Sequence, residues 1–462
     1  MFNSCRVPGV GMDTYELHDP SLYRHVVVVR GGEFYQLDFV DEHHNPLPQA
    51  VIESRLNQVV AVGCNREDLP GGIGVLTAGN RDTWANDREE LIKLDPNVIQ
   101  GLRVIQSAAV VVCLDDKDPV SVGCASEGVW NGRENGGGNR WFDKPVQIVV
   151  YENGKAGLLG EHSMMDGMPM VRYADYLVKN NYGDTAVIAP MGKGEYFEGG
   201  VKDVFENVPT DVLRMNPIVT KMVGRGMEEF NKLVGDQELT ATTFRGFGAK
   251  DIKKFKMSPD AFVQCVIQVA TTRLFGKSVG TYEASQVRVF RHGRTETTRS
   301  CSLETVELCK AMGMRNDGEW RRKEEAERRV GLLRKAANSH VGYLKKAAKG
   351  EGVDRHMFGL KMLLKPREKV PELFNNPIFN AAKTWRVSTS HLTHPSFDNW
   401  GWGEVVPNGV GIAYSIHGDR CVFNVTARKD TGYSRRLAQF LEDGMVETWG
   451  TIMTVMQGGS KL

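Results

Sequence analysis

The sequence predicts an α/β protein built on open mixed sheets and divided into two halves, and three observations carry that expectation. Short apolar runs rich in β-branched residues recur at 25–29, 108–114, 147–151, 411–416 and 422–426, which is the length and composition of buried strands. Between them lie stretches of helical period at 87–94, 171–178, 217–233, 259–274, 304–348 and 434–456. The two kinds do not alternate regularly, which argues against a TIM barrel or a Rossmann sheet and for mixed sheets.

At 462 residues the chain is too long for one compact core. Composition shifts near 195–210, where Gly199-Gly200 precedes Pro209. A linker there would separate an N-terminal domain, 1–205, from a C-terminal domain, 206–462. The helix over 259–274 has a clear start, with Ser258 as N-cap and Pro259 at the first helical position. The charged stretch at 319–329 reads as a solvated helix face, with opposite charges three and four apart. Glycines at Gly71-Gly72-Ile73-Gly74 and Gly136-Gly137-Gly138 read as loops, because neither cluster has the spacing of a nucleotide-binding turn.

Charge narrows the partners. With 58 basic and 57 acidic residues the net charge is +1, which argues against nucleic acid or an anionic membrane. No apolar run approaches the ~20 residues that span a bilayer. Eight scattered cysteines (Cys5, Cys64, Cys113, Cys124, Cys265, Cys301, Cys309, Cys421) include no CxxC pair and read as buried thiols in a reducing compartment. Histidines and cysteines show no close zinc-type spacing, so no metal is expected. The chain opens without a signal or transit leader and closes on Ser460-Lys461-Leu462, read as a peroxisomal address for an import receptor.

The most informative stretch runs from Leu158 through His162 and Asp166 to Gly167. A strand is expected to end at the histidine, with an aspartate and a glycine following just before a helix. HxxxDG in that setting marks acyltransferases whose imidazole serves as general base, a task suited to a group with an ordinary pKa of roughly 6.5. Two readings of Asp166 stand: it fixes the turn, or it pairs with a buried arginine. Further on, Lys250, Lys253, Lys254 and Lys256 cluster before Ser258. Such a cluster is either a solvated loop or a seat for a polyanionic phosphate such as that of coenzyme A. Then follow Thr281-Tyr282-Glu283-Ala284-Ser285, Gly293-Arg294-Thr295, Asp354-Arg355-His356, Ser388-Thr389-Ser390 and Trp400-Gly401-Trp402-Gly403.

In this order and combination, these segments resemble the carnitine/choline acyltransferase family along essentially the whole chain. The resemblance implies two domains, each like chloramphenicol acetyltransferase, with an active-site tunnel between them. It implies transfer of a short acyl group, acetyl, between coenzyme A and the hydroxyl of carnitine, with His162 as base, Asp166 beside it and Ser390 as donor to the oxyanion. Tyr282, Thr295 and Arg355 match positions that bind the carnitine carboxylate, and Trp402 an aromatic position beside its trimethylammonium group. Lys253 matches one of two lysines on the coenzyme A 3′-phosphate. The other position falls on Ala249, so either Lys250 substitutes or that contact is lost. Trp400 matches the gate of the acyl pocket, where a large ring favours acetyl over long chains.

No permanently bound cofactor is implied, coenzyme A being a substrate, and a monomer is expected. Arg355 favours carnitine over choline, which has no carboxylate. Family members normally carry a substantial N-terminal portion before the segment matching Met1, including an active-site tyrosine. The chain is therefore expected to be N-terminally truncated, with an inactive form that at most binds coenzyme A, or a choline-type acyltransferase, as the alternatives. A longer form would reach mitochondria.

Overall fold

The computed structural model describes residues 1–63, 72–132, 136–181 and 200–457. Ser460, Lys461 and Leu462 lie outside the described residues, as do Cys64, Gly71 and Gly199. The chain divides into two compact units, Met1–Gly235 and Asp236–Leu462. That division comes later than 205/206 because the chain after Gly200 still belongs to the first sheet and core. Val201–Asp203 adds a strand to that sheet, and helix Pro217–Gly235 packs on the short turn of helix Ile73–Ala78, with Gly226 against Leu76 and Val75.

In the first unit β1 (Ser4–Val7) pairs with β2 (Thr14–Leu17), apart from the main sheet. The main sheet is built from β3 (His25–Arg30), β4 (Glu33–Asp38), β5 (Val111–Asp115), β6 (Val146–Tyr151), β7 (Ala156–Gly160) and β8 (Val201–Asp203). Its order is β7-β6-β5-β3-β4-β8. β3 and β4 form a hairpin through Gly31-Gly32, whose φ of 60° and 81° suit the two-residue turn that matches strand twist. Val27, Val29, Val111, Cys113 and Val149 are fully buried and form the core with Trp84, Leu91, Leu102 and Trp141. Among them Arg140 is buried against Asp115 in a two-bond fork of 2.8 and 2.7 Å, the arrangement that makes a buried guanidinium tolerable.

The second unit carries β9 (Gln237–Phe244), β10 (Thr281–Gln286), β11 (Thr295–Arg299), β12 (Val387–His391), β13 (Val410–Ile416) and β14 (Cys421–Arg428). Their order is β11-β10-β12-β13-β14-β9. Three central strands are parallel neighbours, β10, β12 and β13, and the remaining pairings are antiparallel. The first sheet repeats this succession, with β6, β5 and β3 as its parallel centre. The expected α/β class with mixed sheets is therefore what the chain adopts.

Helix Pro259–Phe275 is buried along nearly its whole length, because helices Lys323–Ala348 and Tyr433–Gln457 pack around it. It starts as the sequence predicts: the Ser258 hydroxyl accepts from the Ala261 N–H at 3.3 Å, with proline at the first position.

Three expectations are corrected. The helical stretch at 304–348 is two helices, Leu303–Met312 and Lys323–Ala348, because Gly313 and Gly318 adopt φ of 69° and 73° between them. The charged run at 319–329 is not uniformly solvated. Arg329 is 2% exposed and bonds Glu447 at 3.1 Å, which also accepts from Arg273 at 2.8 Å. Ile73–Ala78 is a 3₁₀ turn, not a loop; Gly74 lies so close to the chain opposite that a Cβ would stand 2.3 Å from the Arg140 carbonyl oxygen.

Candidate active site

Each unit holds some of the residues expected to carry the chemistry. In the first, the β6–β7 hairpin delivers the chain to His162, two residues past the end of β7, and helix Gly167–Asn181 begins directly after Asp166. The imidazole Nδ1 lies 2.7 Å from the Met165 carbonyl oxygen. A carbonyl can only accept, so Nδ1 carries the hydrogen and the lone pair sits on Nε2, the atom that would take a proton from a substrate. The nearest Asp166 oxygen is 3.6 Å from Nδ1, close enough for electrostatic support but too long for a hydrogen bond. The His162 side chain is 76% exposed. The described residues of the first unit thus leave it open to solvent.

An arginine contact is seen at Glu161, the residue before His162. Glu161 pairs with Arg6 at 3.2 Å, and Arg6 continues to the buried Asp143 at 3.0 Å. Asp143 also receives Arg81 at 2.8 Å and the Trp84 indole N–H at 2.8 Å. Burial pushes the Asp143 carboxyl up, and the two guanidinium groups oppose that shift. Arg6 and Asp143 therefore tether the residue preceding His162, a role no motif announced.

In the second unit the structure brings Tyr282, Thr295 and Arg355 together. Arg355 Nη2 donates to the Tyr282 hydroxyl at 3.2 Å and to the Thr295 hydroxyl at 3.4 Å, while Nε donates to the Thr295 carbonyl at 3.2 Å. Arg355 opens helix Asp354–Met362, and Asp354 clamps that helix onto β11 through two bonds from Arg299, of 3.0 and 2.7 Å. These partners of Arg355 are hydroxyl and carbonyl oxygens, so none of them neutralises the cation. An exposed guanidinium flanked by two hydroxyls is suited to a carboxylate ligand.

Sheet register places Ser390 on the same face as Tyr282. Tyr282 is opposite Ser388, and Ser390 follows two residues along β12. Continuing across the sheet, Ser390 pairs with Ala413 and Ala413 with Asn424. The buried Asn424 amide has no hydrogen-bond partner among the described residues and lies against Gly401, between the two candidate tryptophans. The rings of Trp400 and Trp402 are 5.4 Å apart, and the Trp402 carbonyl accepts from Thr426 at 2.6 Å, which ties the segment to β14. Lys250 and Lys253 are exposed on the short helix Ala249–Lys254, whose Lys254 is engaged by Asp251 at 2.8 Å.

On the opposite face of the same sheet, the sequence reading assigned nothing, yet Asp260, Glu283 and His340 converge with donor atoms within 4.8 Å of one another. His340 Nε2 is 3.0 Å from Glu283 and 3.5 Å from Asp260, ion-pair distances that favour a protonated imidazole between the two carboxylates. Burial works against that imidazolium, but the bonds to Asp260 and Glu283 outweigh it and push His340 up to about 9. Asp260 and Glu283 both sit in segments the sequence singled out; His340 had no local signal.

Comparison with known proteins bears directly on these segments. A family model described as Choline/Carnitine o-acyltransferase matches residues 1–443. The mitochondrial carnitine O-acetyltransferase of Saccharomyces cerevisiae is 34% identical, covering 100% of this chain and 68% of the relative. The mitochondrial carnitine O-palmitoyltransferase 2 of Mus musculus is 31% identical, covering 92% of this chain and 62% of the relative. Among solved structures, a chloramphenicol acetyltransferase matches with TM-score 0.25 and 11% identity, covering 46% of this chain and 88% of that one.

Proposed function

The chain belongs to the choline/carnitine O-acyltransferase family and is an acyltransferase, and from that premise we propose that it moves an acetyl group reversibly between coenzyme A and the hydroxyl of carnitine. The observation that carries this reading is the convergence of Arg355, Tyr282 and Thr295. A cation and two hydroxyls recognise a carboxylate, which carnitine has and choline lacks. Trp402 offers an aromatic face to the trimethylammonium group.

His162 Nε2 takes the proton of the carnitine hydroxyl as that oxygen attacks the thioester carbonyl. The Ser390 hydroxyl donates to the oxyanion, a contribution typically worth ~2.7–4 kcal/mol of barrier. Collapse of the tetrahedral species breaks the C–S bond, and the departing thiolate recovers the proton from His162. Lys253, with Lys250 beside it, holds the 3′-phosphate of coenzyme A, and Trp400 closes the acyl pocket to long chains. Ser460-Lys461-Leu462 addresses the chain to the peroxisomal import receptor.

The exposure of His162 favours a second reading, in which the chain binds coenzyme A without turning it over. Thiol release from acetyl-CoA with carnitine or choline as acceptor separates the two. The first reading expects carnitine-dependent release that His162→Ala lowers by about 10²–10⁴-fold, the usual worth of a general base. Release unchanged in that variant removes His162 as base, and no release from the wild type leaves only binding.

A further inference from the structure

The buried cluster behind the sheet of the second unit joins the elements that carry the proposed acceptor and oxyanion residues. His340 comes from helix Lys323–Ala348, Asp260 from the first turn of helix Pro259–Phe275, and Glu283 from β10. Asp260 also accepts from the Tyr414 hydroxyl at 2.7 Å and lies 3.4 Å from His391 Nδ1, and the His391 ring stacks on Tyr414. Glu283 faces the same hydroxyl at 3.4 Å. The ionisable groups facing His340 are therefore Asp260 and Glu283 directly, with Tyr414 and His391 behind them. His340 and Glu283 are each 3% exposed, while the Asp260 side chain keeps 20% exposure at the edge of the cluster.

A largely buried ion pair contributes little net stability, because desolvation offsets the attraction; its consequence is fixed geometry. Here that geometry reaches the site in one step. Glu283 is the residue after Tyr282 and lies opposite Thr389, which precedes Ser390. The Thr389 hydroxyl donates to the Tyr282 carbonyl at 2.9 Å and receives Gln264 at 2.9 Å. A shift of the Glu283 carboxylate would therefore move both strands.

We propose that His340 is a positioning residue for acyl transfer: by bridging Asp260 and Glu283 it fixes the strand segments that present Tyr282 and Ser390. This rests on the reading of those two residues given above. Asp260 is held well below the usual carboxylate range by its bonds to His340, His391 and Tyr414, against the effect of burial. Burial and the neighbouring Asp260 charge push Glu283 up, so the bridge depends on the proton at His340.

Calorimetric titration of the full chain with carnitine tests the proposal, whether or not the chain turns over. His340→Gln should weaken carnitine binding about tenfold, the scale of a lost hydrogen bond to a charged group, and leave coenzyme A binding within about twofold. Glu283→Gln/His340→Gln, which removes both charges and keeps two hydrogen-bonding amides, should recover most of that loss, and it carries the test if the single variant does not fold. Wild-type affinity for carnitine should fall as pH rises through about 9, where His340 loses its proton, and the double variant should show no such step. Equal carnitine affinity in wild type and both variants would overturn the positioning role alone. No carnitine binding by the wild type would overturn the acceptor reading and this one with it. Stoichiometric zinc binding lost in His340→Gln would overturn the ion-pair reading.

Discussion

Arg355 reaches across from its helix to the Tyr282 hydroxyl at 3.2 Å, so two residues far apart in the chain present one cationic, hydroxyl-rich surface. Replacing Arg355 with alanine removes the only charge in that group. A charged hydrogen bond contributes roughly 1.5–3 kcal/mol, so the KM for carnitine should rise on the order of 10–100-fold while that for acetyl-CoA stays level. Arg355→Lys should restore little, because an ammonium cannot reproduce the planar fork. Steady-state kinetics with each substrate varied in turn checks this. An equal loss with choline as acceptor would count against carboxylate recognition.

Lys253 stands exposed on a short helix, and the proposed function gives its ammonium the 3′-phosphate of coenzyme A. Lys253→Ala should raise the KM for acetyl-CoA about tenfold, in line with loss of one charge-assisted bond. The same substitution should be silent when acetyl-dephospho-CoA, which lacks the 3′-phosphate, is the donor. A similar loss with both donors would place Lys253 elsewhere on the nucleotide.

Trp400 packs beside Trp402 with ring centres 5.4 Å apart, and the proposed function makes its bulk the limit on acyl-chain length. Trp400→Gly should extend acceptance from acetyl-CoA to hexanoyl- and octanoyl-CoA, since each added methylene buried is worth ~0.8 kcal/mol once there is room for it. Chain-length profiles of the two proteins give the answer. An unaltered profile removes Trp400 as the gate.

Glu447 is fully buried between Arg273 and Arg329, at 2.8 and 3.1 Å. Burial pushes its carboxyl up, and the two guanidinium groups work in the opposite direction. Glu447→Ala leaves the buried Arg273 with only the Met312 and Gly313 carbonyls, while Arg329 keeps Glu325 and Asp317, and should cost about 3–5 kcal/mol. Denaturant unfolding followed in the second unit should show the loss, and a midpoint within error of wild type would mean that water already solvates the arginines.

Legibility in the sequence followed burial. The runs that became β3, β6, β13 and β14 are almost wholly apolar or buried, and the proline-led helix Pro259–Phe275 carries its own start signal. Strands β9, β10, β11 and β12 show no such pattern, because Thr, Ser and Glu occupy most of their positions, buried ones included. Tyr282, Thr295 and Ser390 lie on three of those polar strands, so they were readable as motifs before they were readable as structure. His340 and Glu447 were not readable either way. Each is a single ionisable residue in an amphipathic helix, and its partners come from elements distant in sequence.

The strand that bears Ser390 has parallel neighbours on both sides. The chain quits β11 at Arg299 and returns only at Val387, whereas β10–β11 and β13–β14 are joined by local reversals. Local reversals close with little entropic penalty, while a strand threaded between two parallel neighbours must await distant chain. Assembly of the second unit therefore ends with β12, and amide protection of Thr389 and Ser390 should lag that of the β13–β14 hairpin in pulsed hydrogen exchange. Simultaneous protection would refute that sequence of events. A nascent or partly refolded molecule would thus hold helix Ala249–Lys254 while Ser390 is still out of place, and on the role proposed for Ser390 it would be silent until the last strand slid home.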